Sequence, residues 1–216
     1  MFIGHWSAAF AARAASDRSP KLGTLFVAAQ LVDWAFFIFV LLGIEHMRFV
    51  PGITAMNPMD LYDMRFTHSL IGSCIFAGAF GAIVWVFTRD RFAALIAAMV
   101  VLSHWLLDLL VHRPDLTIDG APPMFGFGLW NYPWIEMPLE LGLTYGAMWW
   151  NARRTDGPPL PLVILGLVML AMQAFNWFGP PPEAGAAVAP MAVLGLVGYA
   201  VATALAWWVG TTRRHR

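Results

Sequence analysis

The stretch Ser103-His104-Trp105-Leu106-Leu107-Asp108-Leu109-Leu110-Val111-His112-Arg113 closes an apolar run that begins near Phe92. Its titratable residues recur every four positions, so a helix through it carries His104, Asp108 and His112 on one face, about a turn apart. An unpaired ionisable group at the centre of a bilayer costs roughly 2.5 to 3.5 kcal/mol even on the lenient insertion scale, so such a stripe faces a bundle interior and needs partners there.

The rest of the chain has the composition of a membrane bundle. Of its 216 residues, 59% are hydrophobic and 12% charged, and the mean hydropathy is +0.64; soluble domains carry about 25% charged residues. Nearly every long segment is apolar enough to span, which leaves no room for a separate soluble domain. The formal net charge is +0, and the basic C-terminal tail reads as membrane-flanking charge, so no nucleic-acid partner is expected. Cys74, the single cysteine, sits inside an apolar run, which excludes a disulfide framework and a cysteine metal knuckle. The first residues have neither a basic region nor a small-residue cleavage site, so no removable signal peptide is expected.

Working outward gives an all-α fold of six transmembrane helices plus a short N-terminal helix, in one integral membrane domain over residues 1–216. The short helix covers Phe2 to Ser16 and carries His5; at ~1.5 Å per residue it is about 22 Å long, short of a ~30 Å hydrocarbon core. The spans run from Leu22 to Ile44 with Asp33 in the middle, Ser69 to Thr88, Phe92 to about Val111, Pro133 to Trp150 with Glu136 and Glu140, Leu160 to Phe178, and Val188 to Gly210. Residues 1–150 bear the polar positions. The last two spans contain no acid or base and read as structural walls. Glu45 to Phe66 is a polar, Pro/Gly-punctuated connection; Thr67 is placed to cap the helix that follows. Arg89-Asp90-Arg91 makes a tight turn, and the long loop from Arg113 to Asn131 reads as a lid or binding loop.

Lysine and arginine divide unevenly between the two ends of these spans. Ten fall on one side (Arg13, Arg18, Lys21, Arg89, Arg91, Arg153, Arg154, Arg213, Arg214, Arg216) and three on the other (Arg48, Arg65, Arg113). The ten-charge side, with the C-terminus, is therefore expected in the cytoplasm of a bacterial inner membrane. His68, Asp108, His112, Glu136 and Glu140 then lie in the outer half, in a site opening to the extracytoplasmic face. His5 joins them only if the short helix runs inward from that face.

His5, Asp33, His68, His104, Asp108, His112, Glu136 and Glu140 form a nitrogen and oxygen donor set without thiolate, suited to Zn, Mn or Fe. Enough donors are present for one or two divalent metals, and zinc is the first expectation. The Glu-x-x-His pattern of di-iron bundles is absent. Glu136, at the start of its span, is expected to be solvated; Glu140, a turn deeper, is the better ligand.

Thr67-His68-Ser69 preceded by Arg65, and Ser103-His104-Trp105-Leu106-Leu107-Asp108-Leu109-Leu110, with His5 and Asp33 upstream, resemble the membrane-bound metal-dependent hydrolase family, the DUF457 or YdjM-like group. That group is thought to be distantly similar to zinc-dependent phospholipase C and P1-type nucleases. The resemblance covers roughly residues 1–145. It implies a first metal held by Asp33, His68, His104 and Asp108, and a second held by His5 with Asp108 bridging. His112 could match a further histidine of the soluble enzymes, whereas Glu136-x-x-x-Glu140 stands where their last His-x-x-x-Asp pair would be. Gln30-Leu-Val-Asp33 lacks the Pro and one acid of the family's Pro-Asp-x-Asp. The resemblance implies hydrolysis, by a metal-activated water, of a phosphoester; Asp108 or Glu140 could then accept the water proton, and Arg65 and Arg113 at the mouth could clamp the phosphate. The depth of the site suggests a lipid-like substrate, with a small phosphoester as the other expectation. Three rival readings remain open: a proton- or ion-coupled transporter, an intramembrane zinc amidase similar to alkaline ceramidases, and a catalytically dead scaffold that keeps the metal for stability.

Overall fold

The computed structural model describes residues 1–216 and contains seven α-helices. After a 3-10 turn at Ile3–His5 come α1 (Trp6–Ala15), α2 (Leu22–Leu41), α3 (Leu70–Thr88), α4 (Arg91–Val111), α5 (Pro133–Arg154), α6 (Pro159–Phe178) and α7 (Ala189–Thr212). Five of them, α2, α3, α4, α6 and α7, are long and apolar enough to cross a membrane, which makes this an integral membrane protein. With 22 residues α5 is as long as these, but it carries Glu136, Glu140, Arg153 and Arg154 and is less apolar.

Local sequence sets the helix ends. Asp90 caps α4 by accepting from the Phe92 and Ala93 amides, and Arg89 closes α3 in the left-handed region at φ 57°. The cap of α3 is Ser69, whose hydroxyl accepts from the Gly72 amide, rather than Thr67. Gly72 has no alternative: a Cβ there would fall inside the Phe66 carbonyl.

The fold is not purely helical. The Glu45 to Phe66 connection, expected as irregular, contains an antiparallel hairpin of β1 (His46–Phe49) and β2 (Met59–Asp63). Its strands set His46 against Asp63, with Nδ1 2.9 Å from the carboxylate, and Arg48 against Asp60 in an ion pair, contacts that favour this register. A second two-stranded ribbon joins β3 (Thr155–Asp156) to β4 (Arg214–His215).

Helix α1 does not lie on a surface. Ile3, Trp6, Ala9 and Phe10 are fully buried, packed with Phe26 of α2, and the helix sits against α2 and α5. That position brings His5 into the bundle. The far end of α1 meets the ten-charge side, where the Ala14 carbonyl accepts from Arg154 and lies 3.2 Å from His215 Nε2, and Arg18 pairs with Asp90. At the opposite end Arg48, Arg65 and Arg113 pair with Asp60 and Asp63.

Candidate metal centre

The polar residues meet where α2, α4, the turn before α3 and the N-terminal segment converge. On α4, His104 and Asp108 are 0% and 2% exposed, and His112, one turn on, forms the C-terminal cap at 3%. His68, just before α3, is 3% exposed, and His5 is 1%. The two oxygens of Asp108 face different partners. His104 Nε2 lies 3.1 Å and His68 Nε2 3.7 Å from Asp108 Oδ2, and both also approach Asp33 Oδ1, at 3.5 and 3.4 Å. His5 Nε2 at 3.1 Å, His112 Nε2 at 3.6 Å and the Met1 amine at 2.9 Å face Asp108 Oδ1.

In His104, His112 and His68 the other ring nitrogen has a partner, which sets the tautomer of the neutral ring. His104 Nδ1 is 2.9 Å from the Ala29 carbonyl and His112 Nδ1 is 2.9 Å from Asp115 Oδ1, so both nitrogens must donate. His68 Nδ1 lies 2.8 Å from Thr67 Oγ1. The Thr67 hydroxyl donates its proton to Glu45 Oε2, and Glu45 Oε1 accepts from the Phe66 and Thr67 amides. Thr67 can therefore only accept from His68, leaving a lone pair on His68 Nε2. In their neutral forms these three histidines would direct Nε2 lone pairs toward two carboxylates, the arrangement in which second partners orient metal-binding imidazoles.

Several of these inward atoms have no hydrogen bond although they are buried: His5 Nδ1 and Nε2, His104 Nε2 and Asp108 Oδ2. His104 Nε2 and Asp108 Oδ2 are close, yet off the line that a hydrogen bond requires. Buried polar atoms left this way are expensive unless something satisfies them. A divalent cation does so and offsets the two aspartates. His5, His104 and Asp108 form one ligand set whose atoms lie within 4.8 Å of one another, and Asp33, His68 and His104 form a second. These buried groups could hold a metal ion.

Not every expected site residue joins the cluster. Glu140 is buried, but its Oε1 accepts from the Phe2 and Gly4 amides and its Oε2 from Gln173 Nε2, so it anchors the N-terminal segment. Glu136 is not at the solvent-exposed surface: it is 1% exposed, and it lines a cavity together with Met1, Met56 and Trp130. Arg65 sits at the surface on Asp63, and its hydrogen bond, with one from His46, holds the Asp63 carboxyl below the ordinary carboxylate range. Arg113 bonds Asp60 and lies 3.3 Å from Asp115, so it steadies the partner of His112. Neither arginine lines the cavity.

Other contributors had weaker sequence signals. Gln173 and Tyr199, polar residues in the otherwise mostly apolar α6 and α7, reach inward: Gln173 holds Glu140 and accepts from the Ile3 amide, and the Tyr199 hydroxyl donates to Asp33 Oδ2 at 3.1 Å. The last two spans are therefore walls of the site as well as of the bundle. Asp115 is held by the long loop, which also satisfies the end of α4, since Phe127 and Gly128 donate to the Leu109 and His112 carbonyls. Gly126, at φ +154°, packs against the carbonyls of His112 and Arg113 with no room for a Cβ.

The cavity measures about 570 Å³. Asp33, His68, Asp108 and His112 form its polar floor, and apolar residues of α2, α6 and α7 form its walls. Comparison with family models, curated proteins and solved structures finds no match for this chain.

Proposed function

We propose that this chain is a six-span, metal-dependent hydrolase of a bacterial inner membrane, of the kind its Thr67–Ser69 and Ser103–Leu110 segments resemble, acting on a lipid-like phosphoester. The observation that carries the reading is the convergence of imidazole Nε2 atoms on Asp33 and Asp108 at the floor of a half-apolar cavity. The ligands would be Asp33, His68, His104 and Asp108 on one side of Asp108, and His5 with His112 on the other. Nitrogen and oxygen donors without thiolate favour zinc, with Mn or Fe as alternatives. Such an ion supplies Lewis acidity, lowering the pKa of water and offsetting phosphoryl charge.

The chain's own residues account for the remaining roles. Asp108 Oδ2, free of hydrogen bonds and facing His68 and His104, would hold the ion with them, so the role of Asp108 is that of a ligand. Glu140, with both oxygens occupied, keeps the N-terminal segment and His5 in position. Tyr199 orients Asp33, Thr67 with Glu45 orients His68, and Asp115 orients His112. We count α5 as the sixth span because Glu136, Glu140, Thr144 and Asn151 all turn inward and are buried, leaving its outer face for lipid. The ten-charge end is taken as cytoplasmic, so the cavity opens toward the outer leaflet.

The test is turnover by purified protein on a panel of lipid and small phosphoesters, with lipid amides beside them, in the presence of Zn, Mn or Fe. Phosphoester cleavage that chelation stops and Asp108→Asn abolishes is expected. Cleavage of amides alone would replace the phosphoesterase by an amidase, and no turnover on any substrate would sink the hydrolase reading.

A further inference from the structure

The cavity does not end at the polar floor. It runs from Asp108, which is 2% exposed, to the outward faces of two spans, where Phe175 of α6 and Leu194 and Val197 of α7 are 59%, 51% and 53% exposed. One continuous space therefore joins a buried carboxylate to a surface that, on helices of this apolarity, faces hydrocarbon. On α7 the lining runs from Met191 to Val201, ten residues or about 15 Å at ~1.5 Å per residue. That is half of a ~30 Å hydrocarbon core, the depth of one leaflet. The matching part of α6, from Val168 onward, is its half nearer the three-charge end, so the slot lies in a single leaflet on that side.

The lining of α6 and α7 is apolar apart from Asn176, near the outer end of α6, and Tyr199, whose hydroxyl binds Asp33 at the junction with the floor. No lysine or arginine lines any part of the cavity. Small residues make the width: Gly198 faces Met172 and Gly195 faces the Phe37 ring, so added side chains there would close the space.

We propose that the seam between α6 and α7 is a lateral slot that takes one acyl chain of a membrane lipid from the leaflet at the three-charge end, with its headgroup directed to the Asp33–Asp108 floor. Its occupancy by lipid stands independently of catalysis; its role as the substrate's chain site rests on the hydrolase reading above. A single chain beside a polar floor selects an amphiphile over a soluble phosphoester, and Val197 and Met172 set the accepted chain.

The experiment uses the full chain in phosphatidylglycerol vesicles that contain a small fraction of phosphatidylglycerol carrying a diazirine on one acyl chain. After irradiation the labelled residues are mapped by mass spectrometry. Labelling concentrated on Met172 and Val197, several-fold above Ile75 and Phe87 on the lipid-facing side of α3, is expected. Val197→Trp, at an exposed position that tolerates size, should reduce labelling of Met172 several-fold while leaving metal content unchanged. Even labelling of α3, α6 and α7, indifferent to Val197→Trp, would overturn the slot. Because labelling requires no turnover, a protein that labels at the seam but hydrolyses nothing would retain the slot and lose only the hydrolase reading.

Discussion

Replacing Glu45 by Gln tests how the site is oriented, because the structure fixes what the amide must do. Glu45 Oε1 accepts from two backbone amides, those of Phe66 and Thr67, and only an oxygen can serve there. The new Nε2 is thus placed where Oε2 was, against Thr67 Oγ1. An amide donates where the carboxylate accepted, so the Thr67 hydroxyl must turn its proton toward His68 Nδ1. His68 then keeps its proton on Nε2, the atom that faces Asp33 and Asp108, and cannot offer a lone pair. Losing a partner of this kind lowers metal affinity about 10- to 100-fold, or about 1.4 to 2.7 kcal/mol. The assay is competition with a chromophoric chelator in detergent, with thermal unfolding of the metal-free protein alongside. Thr67→Val, which removes the hydroxyl without reversing the bond, should lose less affinity than Glu45→Gln. A folded Glu45→Gln protein with wild-type affinity would refute the relay and the tautomer assigned to His68.

Three further outcomes follow from parts of the fold outside the site. Gly72→Ala pushes a methyl into the Phe66 carbonyl and should destabilise the turn that carries His68 by about 1 to 3 kcal/mol, read as a lower unfolding midpoint. Arg213 donates to Thr155 Oγ1 and to the carbonyls of Ala152, Thr155, Gly157 and Pro158; Arg213→Lys cannot span these acceptors and should cost about 1.5 to 3 kcal/mol by the same measurement. The hydrogen bond from Arg18 holds the Asp90 carboxyl below its ordinary range. A depressed folded-state pKa contributes stability above the ordinary carboxylate pKa and loses it as pH falls through the folded value. The small advantage of wild type over Asp90→Asn should accordingly be present at neutral pH, fade in acid below the usual carboxylate range, and shrink with salt; an advantage that grows in acid would contradict this pairing.

Much of the site's frame was legible in sequence because its signals are local. The four-residue spacing of His104, Asp108 and His112 needs only helix geometry, and the intramembrane cost of Asp33 required a partner without identifying it. Distribution of arginine and lysine separated the two ends, and in the structure Arg18 pairs with Asp90 near one of them while Arg48 and Arg113 pair with Asp60 near the other. The hairpin of β1 and β2 was not legible, since its register depends on Arg48 meeting Asp60 across an irregular loop. Glu136 was misread for a related reason: position along a span suggests solvation, whereas the folded chain buries it, 1% exposed, at the wall of the cavity. Glu45, Asp115, Gln173 and Tyr199 lay beyond reach because each acts through a partner brought near by tertiary packing, over 22 residues for Glu45 to Thr67 and 166 for Tyr199 to Asp33. A lone Gln or Tyr in an apolar span was the available sign, and it does not indicate which carboxylate it serves.

The most direct test of the central claim is the metal content of the purified chain, counted per polypeptide by elemental analysis for wild type, His104→Ala and Asp108→Asn. One or two equivalents of Zn, Mn or Fe in wild type, lost from both variants while they remain folded, is the predicted result. Wild-type protein that holds no metal after reconstitution, or variants that retain full occupancy, would contradict the metal centre and leave the buried histidines and aspartates as a proton relay or a structural network.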